Sequence, residues 1–120
     1  MPVQTPVQLA SVLTAAADEA RSHALLNVIF LEADNGDTLI MVVGGEETVL
    51  GFDYGHLNPP YFASRGSDDG VHPVLTAYVS LQHHTEFPRK CVIAIDQGLL
   101  AAQEFLQTGA RPECITWQEV

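Results

Sequence analysis

The last twenty residues, AAQEFLQTGARPECITWQEV (101–120), decide how the fold of this chain closes. Apolar residues recur at helical spacing up to a Thr-Gly pair, and Gly109 is the residue type that most often ends a helix. Pro112 prevents the helix from resuming. The branched residues of CITW (114–117) then favour a closing strand. Trp117 on that strand is predicted to be a core anchor beneath the helix.

Two amphipathic helices are predicted, one near each end of the chain. Residues 5–8 have the form of a capping box with Pro6 at the first helical position, and the apolar repeat that follows should run to about Arg21. Asp96 is the predicted N-cap of the second helix. The apolar stripe of the second helix comprises Ile95, Leu99, Ala102 and Leu106, with Ala101 and Phe105 beside it.

Between the helices, short apolar segments separated by turn residues predict strands. ALLNVIFLEA (24–33) is rich in branched residues and predicts a central strand. Asn35 and Gly36 predict a two-residue hairpin turn into TLIMVV. The other predicted strands are TVLGFDY (48–54), YFAS (61–64), VLTAYVSL (74–81) and CVIAI (91–95). Residues 1–120 are therefore expected to form a single α+β domain, a mostly antiparallel sheet of five to six strands carrying the N-terminal and C-terminal helices.

The charge balance is the most unusual property of the composition. Fifteen acidic residues stand against five Lys and Arg in 120 residues, giving a net charge of −10. Such a protein repels nucleic acid and anionic membranes and attracts basic partners, although solubility alone is the simpler explanation. The chain lacks an apolar run of membrane-spanning length and a basic signal-peptide start, so we expect a cytoplasmic protein. Cys91 and Cys114 are predicted to be buried thiols.

One short motif suggests catalysis. His84-Thr85-Glu86 matches the H-x-E element of zinc-dependent nucleobase deaminases, but that chemistry also needs a downstream P-C-x-x-C motif. Cys114 has no second cysteine at the required spacing. His83 and His84 are poor mutual metal ligands, because neighbours on a strand point to opposite faces. The motifs of nucleophile elbows, P-loops and dinucleotide sites are missing from the sequence. We expect no catalysis, no cofactor and no metal.

Acidic residues on loops are the remaining functional signal. In an up-and-down meander, alternate turns lie at the same end of the sheet, which places Glu46 and Glu47 near Asp68 and Asp69. The opposite end is expected to gather the acidic and histidine residues Asp34, Asp37, Asp53, His56, His83, His84 and Glu86. Like charges facing each other across the Asn-Gly turn would destabilise strand pairing, and a cationic partner would offset that repulsion. Ordinary solvation of the turns is the competing interpretation.

Aromatic residues accompany the acids at the second of these ends. Tyr54, Tyr61 and Phe62 lie near Asp53 and the Pro-Pro bend of the sequence. Exposed tyrosines are typical of interface hot spots, whereas buried ones would belong to the core. Both interpretations stay open at the level of the sequence.

Residues 88–119 resemble the C-terminal signature of the Imm1 immunity proteins. In that signature a short strand leads to an alanine-rich helix and then to E-F-x-x-T-G-x-R-P-x-x-x-x-W. TVLGFDYG (48–55) and YFASRG (61–66) are similar to the middle segment of the family. The matching C-terminal residues are Ala101, Ala102, Glu104, Phe105, Thr108, Gly109, Arg111, Pro112 and Trp117. Phe105, Gly109, Arg111, Pro112 and Trp117 constitute a scaffold signature and not a catalytic one.

The resemblance implies an immunity protein that neutralises a cognate toxin inside the producing cell, as a monomer or a 1:1 complex. Toxins found beside such proteins include nucleic-acid deaminases, which need a basic cleft for a polyanionic substrate. An acidic protein is expected to occlude that cleft, although binding elsewhere on the toxin is the alternative. The candidate contact residues are Glu46, Glu47, Asp53, Tyr54, Tyr61, Asp68, Asp69, His84 and Glu86.

Two other classes of function compete with the antitoxin interpretation. The first is a small-molecule- or metal-binding α+β domain with a pocket formed by His56, His83, His84 and Glu86. The second is a self-associating structural subunit. The position of these side chains in the fold separates the first of them from the leading interpretation.

Overall fold

Two helices and a seven-stranded sheet form the fold in the computed structural model, which describes residues 5–23, 25–56, 58–66, 75–79 and 83–120. The helices are α1 (Pro6–Ser22) and α2 (Ile95–Thr108). A short 3-10 turn spans Arg89–Cys91. The strands are β1 (Asn27–Glu32), β2 (Thr38–Val43), β3 (Glu47–Thr48), β4 (Leu50–Asp53), β5 (Tyr61–Ser64), β6 (Leu75–Val79), β7 (His83–Phe87), β8 (Ile93–Ala94) and β9 (Trp117–Glu119).

The strands of the large sheet follow the order β7-β6-β1-β2-β4-β5-β9. All neighbouring pairs are antiparallel except β1 and β6, which run parallel and pair Asn27 with Tyr78 and Val28 with Val79. β3 and β8 pair with each other in a separate ribbon. Because β6 joins the sheet beside β1, the chain crosses from β5, near one edge, to β6, near the other.

The predicted α+β class and the mostly antiparallel sheet are confirmed, whereas the predicted count of five to six strands is too low. The sequence pattern misses β7, because HHTEF is polar and lacks the apolar alternation of a half-buried strand. This edge strand nevertheless pairs with β6 along its whole length. Backbone pairing with β6 thus defines it as a strand.

Several strand boundaries also differ from the prediction, because pairing partners set them. The predicted strand 48–54 divides at Val49 into β3, which pairs with β8, and β4, which pairs with β2. In the predicted strand 91–95, the residues in β8 are Ile93–Ala94. The closing strand begins at Trp117, which lies opposite Ser64 at the end of β5.

The signals at the helix ends are largely confirmed. Gln8 N–H donates to the Thr5 hydroxyl and Thr5 N–H donates to the Gln8 side chain, both at 3.1 Å, so the capping box is formed. Gly109 ends α2 in the left-handed conformation, with φ of 66°. The N-cap of α2 is Ala94 and not Asp96. Asp96 lies in the first turn instead, where its charge interacts favourably with the helix dipole.

The helices cover one face of the sheet and form the main core. Leu9 and Leu13 of α1 and Phe105 of α2 pack against Met41 and Phe52 on the central strands. A second, smaller core lies on the other face, where it consists of Val28, Val42, Val49, Ala77, Cys91 and Val92. The two cores together explain why the central strands β1 and β2 carry apolar residues on both faces.

The two cysteines differ in their environments. Cys91 is buried and Cys114 is exposed, and neither forms a disulfide. The prediction of two buried thiols is therefore right for Cys91 and wrong for Cys114, which lies in the loop between α2 and β9. Burial raises the pKa of the Cys91 thiol, and the positive charge of Lys90 opposes that shift.

A close approach between α2 and the ribbon requires glycine at position 98. A Cβ atom at Gly98 would lie 2.5 Å from Cγ2 of Thr48 and 3.2 Å from Cε of Met41. Thr48 cannot retreat easily, because its buried hydroxyl donates a 2.7 Å hydrogen bond to the carbonyl oxygen of Val42. The absence of a side chain at this position lets α2 sit directly on the sheet.

We expect Gly98→Val to lower the free energy of unfolding by about 1–3 kcal/mol, because overpacking forces the buried neighbours apart. Urea denaturation followed by far-UV circular dichroism measures this effect. The matched control is Gln97→Val, at an exposed position of the same helix. Equal stability of the two variants would show that the contact with Thr48 does not limit the approach of α2.

Candidate protein-interaction site

Acidic side chains concentrate at one end of the sheet, where the β1–β2 turn, the end of β4 and the loop after α2 meet. Gly55 N–H donates a 2.8 Å hydrogen bond to Oδ1 of Asp37, which joins the first two of these segments. Gly109 approaches Ala33, which brings the end of α2 to the same place. We call this region the acidic end; its carboxylates belong to Glu32, Asp34, Asp37, Asp53, Glu104 and Glu113.

Only one of the five Lys and Arg residues of the chain, Arg111, lies at the acidic end. The other four are Arg21, Arg65, Arg89 and Lys90, and they lie toward the opposite end of the sheet. The last turn of α2, which points to the acidic end, also lacks a basic residue. The partial negative charge of the helix C-terminus therefore adds to the field of the carboxylates.

Glu46 and Glu47, which the sequence predicted as interface candidates, lie at the end that carries the basic residues. Both oxygens of the Glu47 carboxylate accept hydrogen bonds from the guanidinium of Arg89, at 3.1 and 3.0 Å. Their predicted neighbours Asp68 and Asp69 lie outside the described residues. Positive and negative side chains thus offset each other locally at this end.

The second predicted group of site residues is divided by the strand order. Asp34, Asp37 and Asp53 lie together at the acidic end, with His56, whose ring stacks on Tyr54 at a centroid distance of 5.5 Å. His83, His84 and Glu86 instead lie on β7, and β6, β1 and β2 separate that strand from β4.

The predicted pocket of His56 with His83, His84 and Glu86 is therefore wrong. The prediction assumed a meander, whereas the parallel pairing of β6 with β1 places the β6–β7 hairpin at the far edge of the sheet. Among the described residues, no three His, Cys, Asp or Glu side chains are arranged to hold a metal ion. In the same part of the chain, no helix is long and apolar enough to cross a membrane.

The β1–β2 turn differs from the predicted two-residue hairpin. Ala33 N–H donates to the carbonyl oxygen of Asp37 at 2.8 Å, so three residues form the loop, and Gly36 takes a φ of 88°. Asp34 and Asp37 consequently do not face each other across the strands. Besides Gly55, Asp37 also accepts a hydrogen bond from the Asn35 side chain at 3.3 Å, which shows that this carboxylate supports the turn.

Aromatic packing supports the acidic end from below. The ring of Phe52, which is fully buried, makes edge-to-face contacts with Tyr54, Phe105 and Trp117 at centroid distances of 5.2, 6.2 and 6.3 Å. Tyr54 also contacts Phe62, at 6.2 Å. Tyr54 is therefore half-buried and belongs as much to the core as to the surface.

The remaining signature residues connect the same packing to the loop after α2. The Arg111 guanidinium lies over the ring of Phe62, 4.1 Å from its centroid. Nε1–H of Trp117 donates a 2.7 Å hydrogen bond to the carbonyl oxygen of buried Pro112. The signature thus describes one structural unit, which fixes the position of residues 110–115.

An open groove of about 430 Å³ lies between this loop and the β1–β2 turn. Tyr54 and Trp117 contribute aromatic walls, Asp37 and Glu113 contribute carboxylates, and Arg111 also lines the groove. The sequence did not indicate this groove, because its walls come from segments more than 50 residues apart. The arrangement provides a surface for polar contacts with another molecule.

We expect Trp117→Phe to lower the free energy of unfolding by about 1–3 kcal/mol, because the buried carbonyl of Pro112 loses its donor. The substitution retains an aromatic ring beside Phe52, so that most of the apolar contact is kept. Urea denaturation followed by circular dichroism measures the change. An unfolding midpoint equal to that of the unsubstituted protein would show that the hydrogen bond does not hold the loop.

Comparison with known proteins agrees with the resemblance of the C-terminal segment and extends it. No individual protein of curated function matches this sequence. The sequence profile described as "Immunity protein Imm1" matches residues 1–119. That match covers both helices and every strand of the sheet. The chain therefore belongs to the Imm1 family of immunity proteins.

Proposed function

We propose that this protein neutralises a nucleic-acid-modifying toxin by covering the toxin's basic cleft with the acidic end. Membership of an immunity protein family implies a cognate toxin as the partner. The observation that supports the choice of surface is the segregation of charge. Among the described residues, six carboxylates and one Arg occupy the acidic end, whereas the other four Lys and Arg residues lie toward the opposite end.

This segregation orients the protein as it approaches a basic partner. The net charge of −10 attracts a cation over a distance of about 10 Å at 0.1 M salt, and the uneven distribution turns the acidic end toward it. Electrostatic steering of this kind raises the association rate more than the final affinity. Rapid capture benefits a cell whose nucleic acid is the target of the toxin.

The class of toxin follows from the same chemistry. An enzyme that acts on DNA or RNA needs Lys and Arg to hold phosphates, and carboxylates at the positions of the phosphates would compete with its substrate. A deaminase toxin is the member of this class that we favour, and we place the encounter in the cytoplasm of the producing cell. The protein would act as a monomer in a 1:1 complex and perform no reaction itself.

The test of this proposal measures association with the toxin encoded beside the protein. Asp34→Lys combined with Glu113→Lys should slow association at low salt by about tenfold or more, because the steering field is reversed at the acidic end. Stopped-flow fluorescence with a labelled toxin gives the rate at several salt concentrations. An oligonucleotide substrate added to the complex shows whether the toxin cleft is covered.

Asp18→Lys combined with Glu19→Lys is the matched control, since both residues are exposed on α1 and the change in net charge is the same. The control should slow association much less than the substitutions at the acidic end. Equal effects of the two pairs, or a rate independent of salt, would contradict the role of the acidic end. A complex that still binds the oligonucleotide would contradict occlusion of the cleft.

A further inference from the structure

The face of the sheet opposite the helices is only half covered by the described elements. At the start of β1, Val28 packs with Val42 and Val49 beneath Cys91 and Val92. Toward the acidic end, however, Phe30 of β1 is 55% exposed. An aromatic side chain in the middle of a sheet is normally buried, so its exposure calls for an explanation.

Strand register continues from Phe30 into a row of residues that are partly exposed. Phe30 pairs with Ile40, Ile40 with Gly51, and Gly51 with Ala63, so four neighbouring strands each contribute one small or apolar residue. Ile40 lies across Gly51, since a Cβ atom at Gly51 would be 3.3 Å from Cδ1 of Ile40. The side chains on β2, β4 and β5 therefore form a low surface, and the ring of Phe30 on β1 projects beside it.

A second row on the same face lies two residues closer to the acidic end. Glu32 pairs with Thr38, Thr38 with Asp53, and Asp53 with Tyr61. Residues two apart on a strand lie about 7 Å from each other on one face, so these carboxylates border the apolar row directly. Tyr61 is 36% exposed and closes the row at β5. We call the two rows together the open sheet face.

We propose that the open sheet face is the apolar centre of the contact with the toxin, which rests on the function proposed above. Phe30 inserts into an apolar pocket of the toxin beside its basic cleft. Glu32 and Asp53 pair with Lys or Arg side chains at the rim of that pocket. An aromatic anchor bordered by polar groups is the usual anatomy of an interface hot spot. The acidic end steers the encounter, and this face holds the complex.

Charge favours a basic partner over a second copy of this chain as the occupant. Each copy carries a net charge of −10. If two copies paired through this face, the Glu32 and Asp53 carboxylates of one molecule would lie close to those of the other and repel them. A toxin with Lys and Arg around an apolar pocket replaces the repulsion between carboxylates by attraction. The partner that fits is therefore a protein surface of opposite charge.

The test compares two exposed apolar side chains on opposite faces of the molecule. Phe30→Ala should weaken binding to the toxin by about tenfold or more, mainly through faster dissociation, and the loss should persist at high salt. Leu100→Ala is the matched control, because Leu100 is 59% exposed on α2. Surface plasmon resonance at low and high salt gives both rates. Circular dichroism and urea denaturation of each variant verify that the fold is retained.

The outcomes distinguish this inference from the proposed function. If Phe30→Ala and Leu100→Ala bind the toxin equally well while the Asp34→Lys and Glu113→Lys pair binds poorly, the acidic end is correct and the open sheet face is not the contact. If none of these substitutions weakens binding, both proposals fail. If sedimentation shows a dimer of this chain that Phe30→Ala dissociates, a second copy is the occupant and the inference is overturned.

Discussion

The packing around Phe52 is the interaction on which the rest of the structure depends. This fully buried ring on β4 contacts Tyr54 on the adjoining loop, Phe105 on α2 and Trp117 on the closing strand. Sheet, helix and C-terminal strand are thereby held at one point. The loop after α2 and the β1–β2 turn take their positions from this point, and they form the acidic end. The family signature consequently encodes the support of the candidate site and not its chemistry.

The charge distribution works against stability and is therefore informative. Repulsion between exposed like charges costs about 0.2–0.5 kcal/mol per close pair, and the acidic end gathers several carboxylates beside a helix whose last turn lacks a basic residue. The chain has basic residues, but four of the five lie elsewhere. A cationic partner that relieves the repulsion in the complex gives this grouping of carboxylates a physical rationale. Solvation of the carboxylates by water does not require them to be grouped.

Local signals in the sequence predicted the helices and most strands, whereas long-range pairing determined what they did not predict. The capping box at Thr5 and the stop at Gly109 depend on nearby residues alone, and both are present. The partner of Glu47 is Arg89, 42 residues away, so no local pattern could indicate that this carboxylate is engaged. Likewise, the row beginning at Phe30 exists only through the register of four strands, and the parallel β1–β6 pair separates His56 from His83.

The pairing of β6 with the start of β1 determines which part of the sheet can vary in sequence without disturbing the main core. Among the described residues, β6 joins the sheet beside the start of β1, at Asn27 and Val28, and Tyr78 N–H donates a hydrogen bond to the carbonyl oxygen of Leu26. Leu75, Ala77 and Phe87 of these strands pack in the second core, and no described residue of β6 or β7 belongs to the main core around Phe52. Substitutions at an exposed position of β7, such as Glu86, therefore leave the packing around Phe52 intact, so this edge of the sheet tolerates changes that the main core does not.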